Sequence, residues 1–272
     1  AHLLENVLYE LTLNTLWLVL GVAAGTLLLG VSLAWLTAVC HFPGRRLFAW
    51  ALLLPLAVPA YVTAFVAVGL LDFTGPLQTW WRAEFGPTHF PEIRSRGGVI
   101  AVMILAFYPY VYLIARNAFQ TQGQRALEAA QSLGLSRWEG FWRVSLPMAR
   151  PWVVGGVMLV MMECLADFGT VAVFNYDTFT SGIYKAWYSL FSLSAASQLA
   201  SLLVIAVFMI LLLEQQARAR MSYTQIGRGA AQQQRIQLHG WRGWGVTLYA
   251  SVILLIAFVV PVIQLLLWTM EY

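Results

Sequence analysis

Glu163 and Asp167 stand four residues apart in a stretch that is otherwise apolar from Trp152 to Phe174. On a helix that spacing puts both carboxylates on one face. Charge at membrane depth is costly and points into a bundle or a wet cavity. The pair therefore reads as a polar patch lining a translocation path. For Asp167, a helix cap or a water-facing end explains the residue equally well. Little else in the chain could do chemistry. Asp167-Phe168-Gly169 spells a kinase triplet, but no glycine-rich loop or His-Arg-Asp accompanies it. There is no GxxxxGK[ST], no HExxH and no CxxC. His2, His41, His89 and His239 are scattered, and no metal cage is expected from them. Cys40 and Cys164 fall at opposite membrane depths and read as small buried hydrophobes. Catalytic, cofactor-binding and metal-binding residues are thus expected to be absent.

The elements that must position these residues follow from composition. The chain has 272 residues, 60% hydrophobic and 10% charged. Its mean hydropathy is +0.71. Soluble domains carry about 25% charged residues, so most of this surface faces something other than water. Apolar runs give six membrane spans: 11–40, 47–71, 97–115, 152–174, part of 185–214, and 243–270. Each must be helical, because lipid leaves no partner for loose backbone groups. The fold class is all-α and polytopic, with about six transmembrane helices. Gly21 and Gly25 read as close helix packing. Pro55, Pro59 and Pro109 should bend or loosen the second and third spans.

Charge orients the spans. Loops 41–46, 116–150 and 214–242 hold twelve of the sixteen Lys and Arg residues. By the positive-inside rule these loops are cytoplasmic, and 72–96 and 175–185 are periplasmic. The net charge of +4 is then mostly topology, with no nucleic-acid partner implied. Residues 1–10 would lie outside with no basic leader before them, which predicts that the chain is a piece of a longer polypeptide.

One insert is too polar to enter a bilayer: EAAQSLGLSRWEGFWRVSLP, Glu128 to Pro147. Helix-forming residues from about Arg125 run to Gly134, which should break the helix. Ser136 and Glu139 have capping-box spacing. A second helix is expected to about Val144, ended by Pro147 and Pro151. A membrane-surface helix accounts for the tryptophans and arginines, but not for the glycine turn.

These residues carry a resemblance. Glu128-Ala129-Ala130, three residues, Gly134, nine residues, Val144, one residue, Leu146-Pro147 resembles the EAA loop of ABC-importer membrane subunits. Valine for the usual isoleucine is the one departure. The region from Met161 to Trp187 is similar to ferric-iron importer permeases. The resemblance implies a type I ABC-importer transmembrane-domain fold in a bacterial inner (plasma) membrane. It implies that Glu128, Ala129, Ala130, Gly134, Leu146 and Pro147 couple to an ATP-binding subunit dimer, which carries the ATP and Mg. It further implies a periplasmic or lipid-anchored substrate-binding protein, a second permease half or subunit, and membrane lipid as partners. Residues 1–215 would then be the first permease half, with its EAA loop at 125–148. Residues 216–242 would be a cytoplasmic linker, and 243–272 the first helix of a second half. The expected cargo is ferric iron, with thiamine, a polyamine or another small solute as the alternative. A secondary transporter or channel ranks behind the ATP-driven reading.

Overall fold

A computed structural model describes residues 2–86, 91–219 and 235–271. The described chain is almost entirely helical. Its helices are α1 (His2–Val39), α2 (Arg45–Ala51), α3 (Ala60–Leu71), α4 (Pro76–Phe85), α5 (Arg96–Ala118), α6 (Gln124–Ser132), α7 (Arg137–Gly140), α8 (Leu146–Ala166), α9 (Gly169–Val173), α10 (Phe179–Tyr184), α11 (Leu193–Ala219), α12 (Trp241–Leu254) and α13 (Val260–Glu271). Among the described residues, six stretches are long and apolar enough to cross a membrane.

The centre of the bundle is α5, packed between α1 and α8. Three glycines on α1 permit this. A Cβ on Gly21 would lie 2.8 Å from Ile100 Cδ1, and one on Gly30 would lie 2.7 Å from Val111 Cβ. Gly25 faces Ile104 more closely still. On the other side, Gly156 of α8 meets the Val111 backbone. The GxxxG reading as packing therefore holds, since small residues let two backbones approach where water cannot drive association. Helices α11 and α13 bury little and leave long apolar faces outward.

The expected second span at 47–71 is not one helix. It divides into α2, a tight turn at Leu54–Ala57, and α3. The helix re-forms after Pro59, whose backbone is extended at ψ 142°. Pro55 and Pro59 lack the amides that a continuous helix would need. Carbonyls beside the break find side-chain donors: Tyr108 Oη donates to Leu52 O at 2.9 Å, and Tyr112 Oη to Ala49 O at 3.1 Å. Both tyrosines are fully buried on α5. A broken helix at this depth is tolerable because the protein, not lipid, receives its loose groups. The apolar length from Ala60 to Phe85 also suffices for a crossing. However, α4 carries Gln78, Arg82 and Glu84, so the division α2–turn–α3 makes the better crossing. Pro109, by contrast, is absorbed within a continuous α5.

The fourth span also differs from expectation. Helix α8 ends at Ala166, not Phe174, and α9 follows as a separate short helix. The last apolar stretch returns to the bundle. Tyr249 Oη lies 2.9 Å from Ser32 Oγ, and Trp268 packs edge-on against Phe65 with ring centroids 5.5 Å apart.

Candidate functional site

The broken second span opens a cavity of about 380 Å³. Pro55, Pro59 and Tyr61 line one wall, Phe107 and Tyr110 of α5 another, and Glu163 and Asp167 a third. Sequence spacing placed both acids on one helical face. They do share the cavity, but by a different route, because α8 ends between them. Asp167 is committed locally. Its carboxylate accepts from the Thr170 amide at 2.8 Å and the Thr170 hydroxyl at 3.1 Å, closing the first turn of α9. Its carbonyl accepts from Thr180 Oγ1 at 2.8 Å. Glu163 has no such partner among the described residues. The two readings of Asp167 are thus compatible: it caps a helix and it faces the cavity. Among the described residues, no Lys, Arg or His lines this space. The proline break and the two capping tyrosines were the parts of the site hardest to foresee. Pro55 and Pro59 signalled a weakness in the helix, but nothing in sequence spacing tied Tyr108 and Tyr112 to it.

The second candidate site is the Glu128–Pro147 insert. Helix α6 ends in a Schellman turn, where the Leu135 amide donates to Ala130 O at 3.1 Å and the Gly134 amide to Gln131 O at 3.0 Å. Gly134 takes φ +89°, a left-handed value that side chains resist. The expected capping box forms: the Ser136 amide donates to Glu139 Oε2 at 3.0 Å, and the Glu139 amide to Ser136 Oγ at 3.3 Å. One expectation is corrected. Pro147 and Pro151 do not end the second helix. A wide helical turn at Phe141–Ser145 carries α7 straight into α8. Pro147 follows directly on that wide turn, which accommodates its missing amide, and Pro151 lies inside the helix.

The insert is amphipathic in three dimensions. Leu127, Ala130 and Phe141 are buried, whereas Leu133 is 86% and Trp138 68% exposed. Glu128 is partly exposed, and Ala129 and Pro147 are exposed. A Cβ on Gly140 would meet Leu127 Cδ1 at 2.5 Å, so the two arms of the insert touch there. Phe141 packs at a tilt against Trp35 of α1 with ring centroids 4.6 Å apart, and Trp35 meets Phe119 edge-on at 5.4 Å. This aromatic cluster ties the insert to α1 and the end of α5. Trp35 and Gly140 gave no sign of that role in sequence.

A polytopic helical bundle with a broken span and an outward-facing helix-turn-helix insert defines a class of membrane permease. The chain belongs to the binding-protein-dependent transport system inner membrane component family, whose model matches residues 26–220. It is an ABC-importer permease subunit, a multi-pass protein of the inner membrane. It is 27% identical to the Fe(3+)-transport system permease protein FbpB 2 of Haemophilus influenzae over 95% of this chain and 48% of that protein. The chain thus spans about half the length of that relative. It is 32% identical to the molybdenum transport system permease protein ModB of Escherichia coli over 73% of this chain and 88% of that one. Among solved structures, an inward-facing MetNI methionine ABC transporter aligns at TM-score 0.64 and 15% identity, over 82% of this chain and 99% of that one. A bacterial ABC transporter for the acidic polysaccharide alginate aligns at TM-score 0.61 and 16% identity, over 78% and 80% of the two chains. These likenesses show the type I importer transmembrane fold.

Proposed function

We propose that this chain forms the first membrane half of an ATP-driven importer of ferric iron. The observation that carries the cargo assignment is the cavity at the broken second span, where Glu163 and Asp167 stand without a cation among the described lining residues. Such a lining attracts a cation and repels an oxyanion. The likeness to the Fe(3+) permease supports the same reading, because it extends over 95% of this chain against 73% for the molybdenum permease. Iron is cargo here, handed over by a substrate-binding protein at 72–96 and 175–185 on the periplasmic side.

Coupling is assigned to the insert. Glu128, Ala129, Ala130, Gly134, Leu146 and Pro147 hold a rigid turned hairpin against a separate ATPase dimer, which binds ATP and Mg. The exposed Leu133 and Trp138 offer the apolar contact, and the Phe141–Trp35–Phe119 cluster carries movement into α1 and α5. The loop and residues 216–242 then lie in the cytoplasm, and 243–272 begins a second half.

Uptake into proteoliposomes holding the assembled transporter, its ATPase and its binding protein tests the assignment. ATP-dependent accumulation of ferric iron, but not of molybdate or sulfate, is expected. Accumulation of molybdate without iron would overturn the cargo assignment. Transport without any ATPase would overturn the mechanism.

A further inference from the structure

Helix α4 is turned inside out for a helix in water. It carries Gln78 and Arg82 on one side and Leu77, Trp80, Trp81 and Phe85 on another. The polar side faces the protein. Gln78 is buried, and its Nε2 donates to Leu71 O at 2.9 Å. One turn on, Arg82 Nη2 donates to Phe73 O at 2.8 Å, and its guanidinium stacks over the Phe73 ring, 4.1 Å from the centroid. The apolar side faces away: Trp80 is 57% and Phe85 53% exposed, with Leu77 exposed on the same side. Ring centroids of Trp81 and Phe85 lie 4.6 Å apart, so the aromatic residues form one patch. A helix meeting water presents the opposite order, apolar side in and polar side out.

The depth of this patch is set by its neighbours. Asp72, which ends α3, accepts from Arg94 Nε at 3.0 Å, and Arg94 Nη1 donates to Val173 O at 2.8 Å. The end of α3 is thus level with the start of α5 at Arg96. Charge returns at Asp72 after the apolar α3 and at Arg96 before the apolar run of α5, so both crossings stop at this level. The turn from α3 into α4 is tight. The Gly75 amide donates to Asp72 O at 2.7 Å, and a Cβ on Gly75 would lie 2.6 Å from Leu70 O. Bonds to Leu71 O and Phe73 O then hold α4 beside the end of the crossing. Tryptophan is favoured at that boundary between hydrocarbon and headgroups. Glu84 falls on the apolar side in the last turn, which keeps the helix at headgroup level and out of the acyl core.

We propose that α4 is an interfacial anchor, its Leu77, Trp80, Trp81 and Phe85 side bedded in the phospholipid leaflet at which α3 ends. Amphipathic helices lie in the plane of the interface by burying such a face. Thr79 and Ala83, both exposed, fall on a third side that meets water. The anchor fixes one end of α3, whose first residues, Ala60 and Tyr61, line the acidic cavity. It holds whichever ion is carried.

Spin labels on single introduced cysteines test this in the assembled transporter, reconstituted in nanodiscs of phosphatidylglycerol and phosphatidylcholine. Cys40 and Cys164 are buried, and the unsubstituted protein gives their background labelling. Labels at Leu77→Cys and Trp80→Cys should meet oxygen, which partitions into lipid, severalfold more than a water-soluble nickel chelate. Labels at Thr79→Cys and Ala83→Cys should show the reverse preference. Nickel access at 77 and 80 equal to that at 79 and 83 would put the patch in water and overturn the anchor. Loss of oxygen access at 77 and 80 on adding the substrate-binding protein would make that protein the occupant and overturn it as well. Should Trp80→Cys fail to assemble, a phospholipid with a photoactivatable group near its headgroup decides on the wild type. Cross-links are expected within 77–85 and on the last turn of α13, which Trp268 places against Gly69 of α3. Cross-links on α13 without any in 77–85 would sink the proposal.

Discussion

Glu163 and Asp167 face one cavity but are held differently, and their substitutions should separate. Glu163 makes no hydrogen bond to the described residues that a neutral amide would break. Glu163→Gln should therefore leave membrane abundance and thermal stability unchanged while lowering iron uptake severalfold. Uptake equal to wild type would remove Glu163 from the path. Asp167 closes the first turn of α9 through Thr170. Asp167→Ala should cost about 1 kcal/mol, as lost caps do, visible as a lower melting temperature in detergent. Asp167→Asn, which keeps an acceptor, should recover most of that stability. Tyr108 offers a second test at this scale. Tyr108→Phe strands the Leu52 carbonyl at the helix break, at a cost of about 1–3 kcal/mol for a buried unsatisfied acceptor. Protection of that segment from hydrogen exchange should fall first.

Helices α6 and α7 form a unit whose shape rests on Gly134. Its φ of +89° disfavours any side chain. Gly134→Val should cost about 1–2 kcal/mol locally and abolish ATPase co-purification, while the spans still insert. Retention of the ATPase would refute the docking assignment. The Gly25 crossing behaves differently. Gly25→Leu intrudes on Ile104 and separates α1 from α5, so loss of the folded protein itself is expected, measured as aggregation on size-exclusion chromatography. The turn at Gly134 and the Ser136–Glu139 box were legible in sequence because both depend on neighbours within a few residues. The continuation of α7 into α8 was not. A wide turn at Phe141–Ser145 resolves the prolines, and it forms under the packing of Phe141 on Trp35 and Phe119.

For the whole molecule, sidedness is the property most open to test. A cysteine placed at Leu135 should react with an impermeant thiol reagent only after the cytoplasmic side is exposed. One placed at Glu84 should react from the periplasm. The opposite pattern would invert the positive-inside assignment. Family, fold class and the number of crossings were legible because bilayer thickness imposes a length on every span and the loop carries its pattern in order. The division of the second span was half legible: Pro55 and Pro59 announce a defect, but a proline alone cannot say whether a helix kinks or stops. Pro109 shows the alternative, since α5 runs through it.

By itself the sequence determined that this chain crosses a membrane about six times, that a turned hairpin projects from it, and which family it enters. All three rest on local composition and spacing, which each segment obeys before it meets any other. Tertiary structure alone decided that the second span breaks, that Tyr108 and Tyr112 bond carbonyls beside the break, that Glu163 and Asp167 share a cavity across a helix end, and that Cys40–His41 pairs with the distant Ile236–Gln237. Those outcomes depend on hydroxyls, carbonyls and charges from separate helices arriving within hydrogen-bond or Coulomb range, and only packing of α5 between α1 and α8 sets those distances.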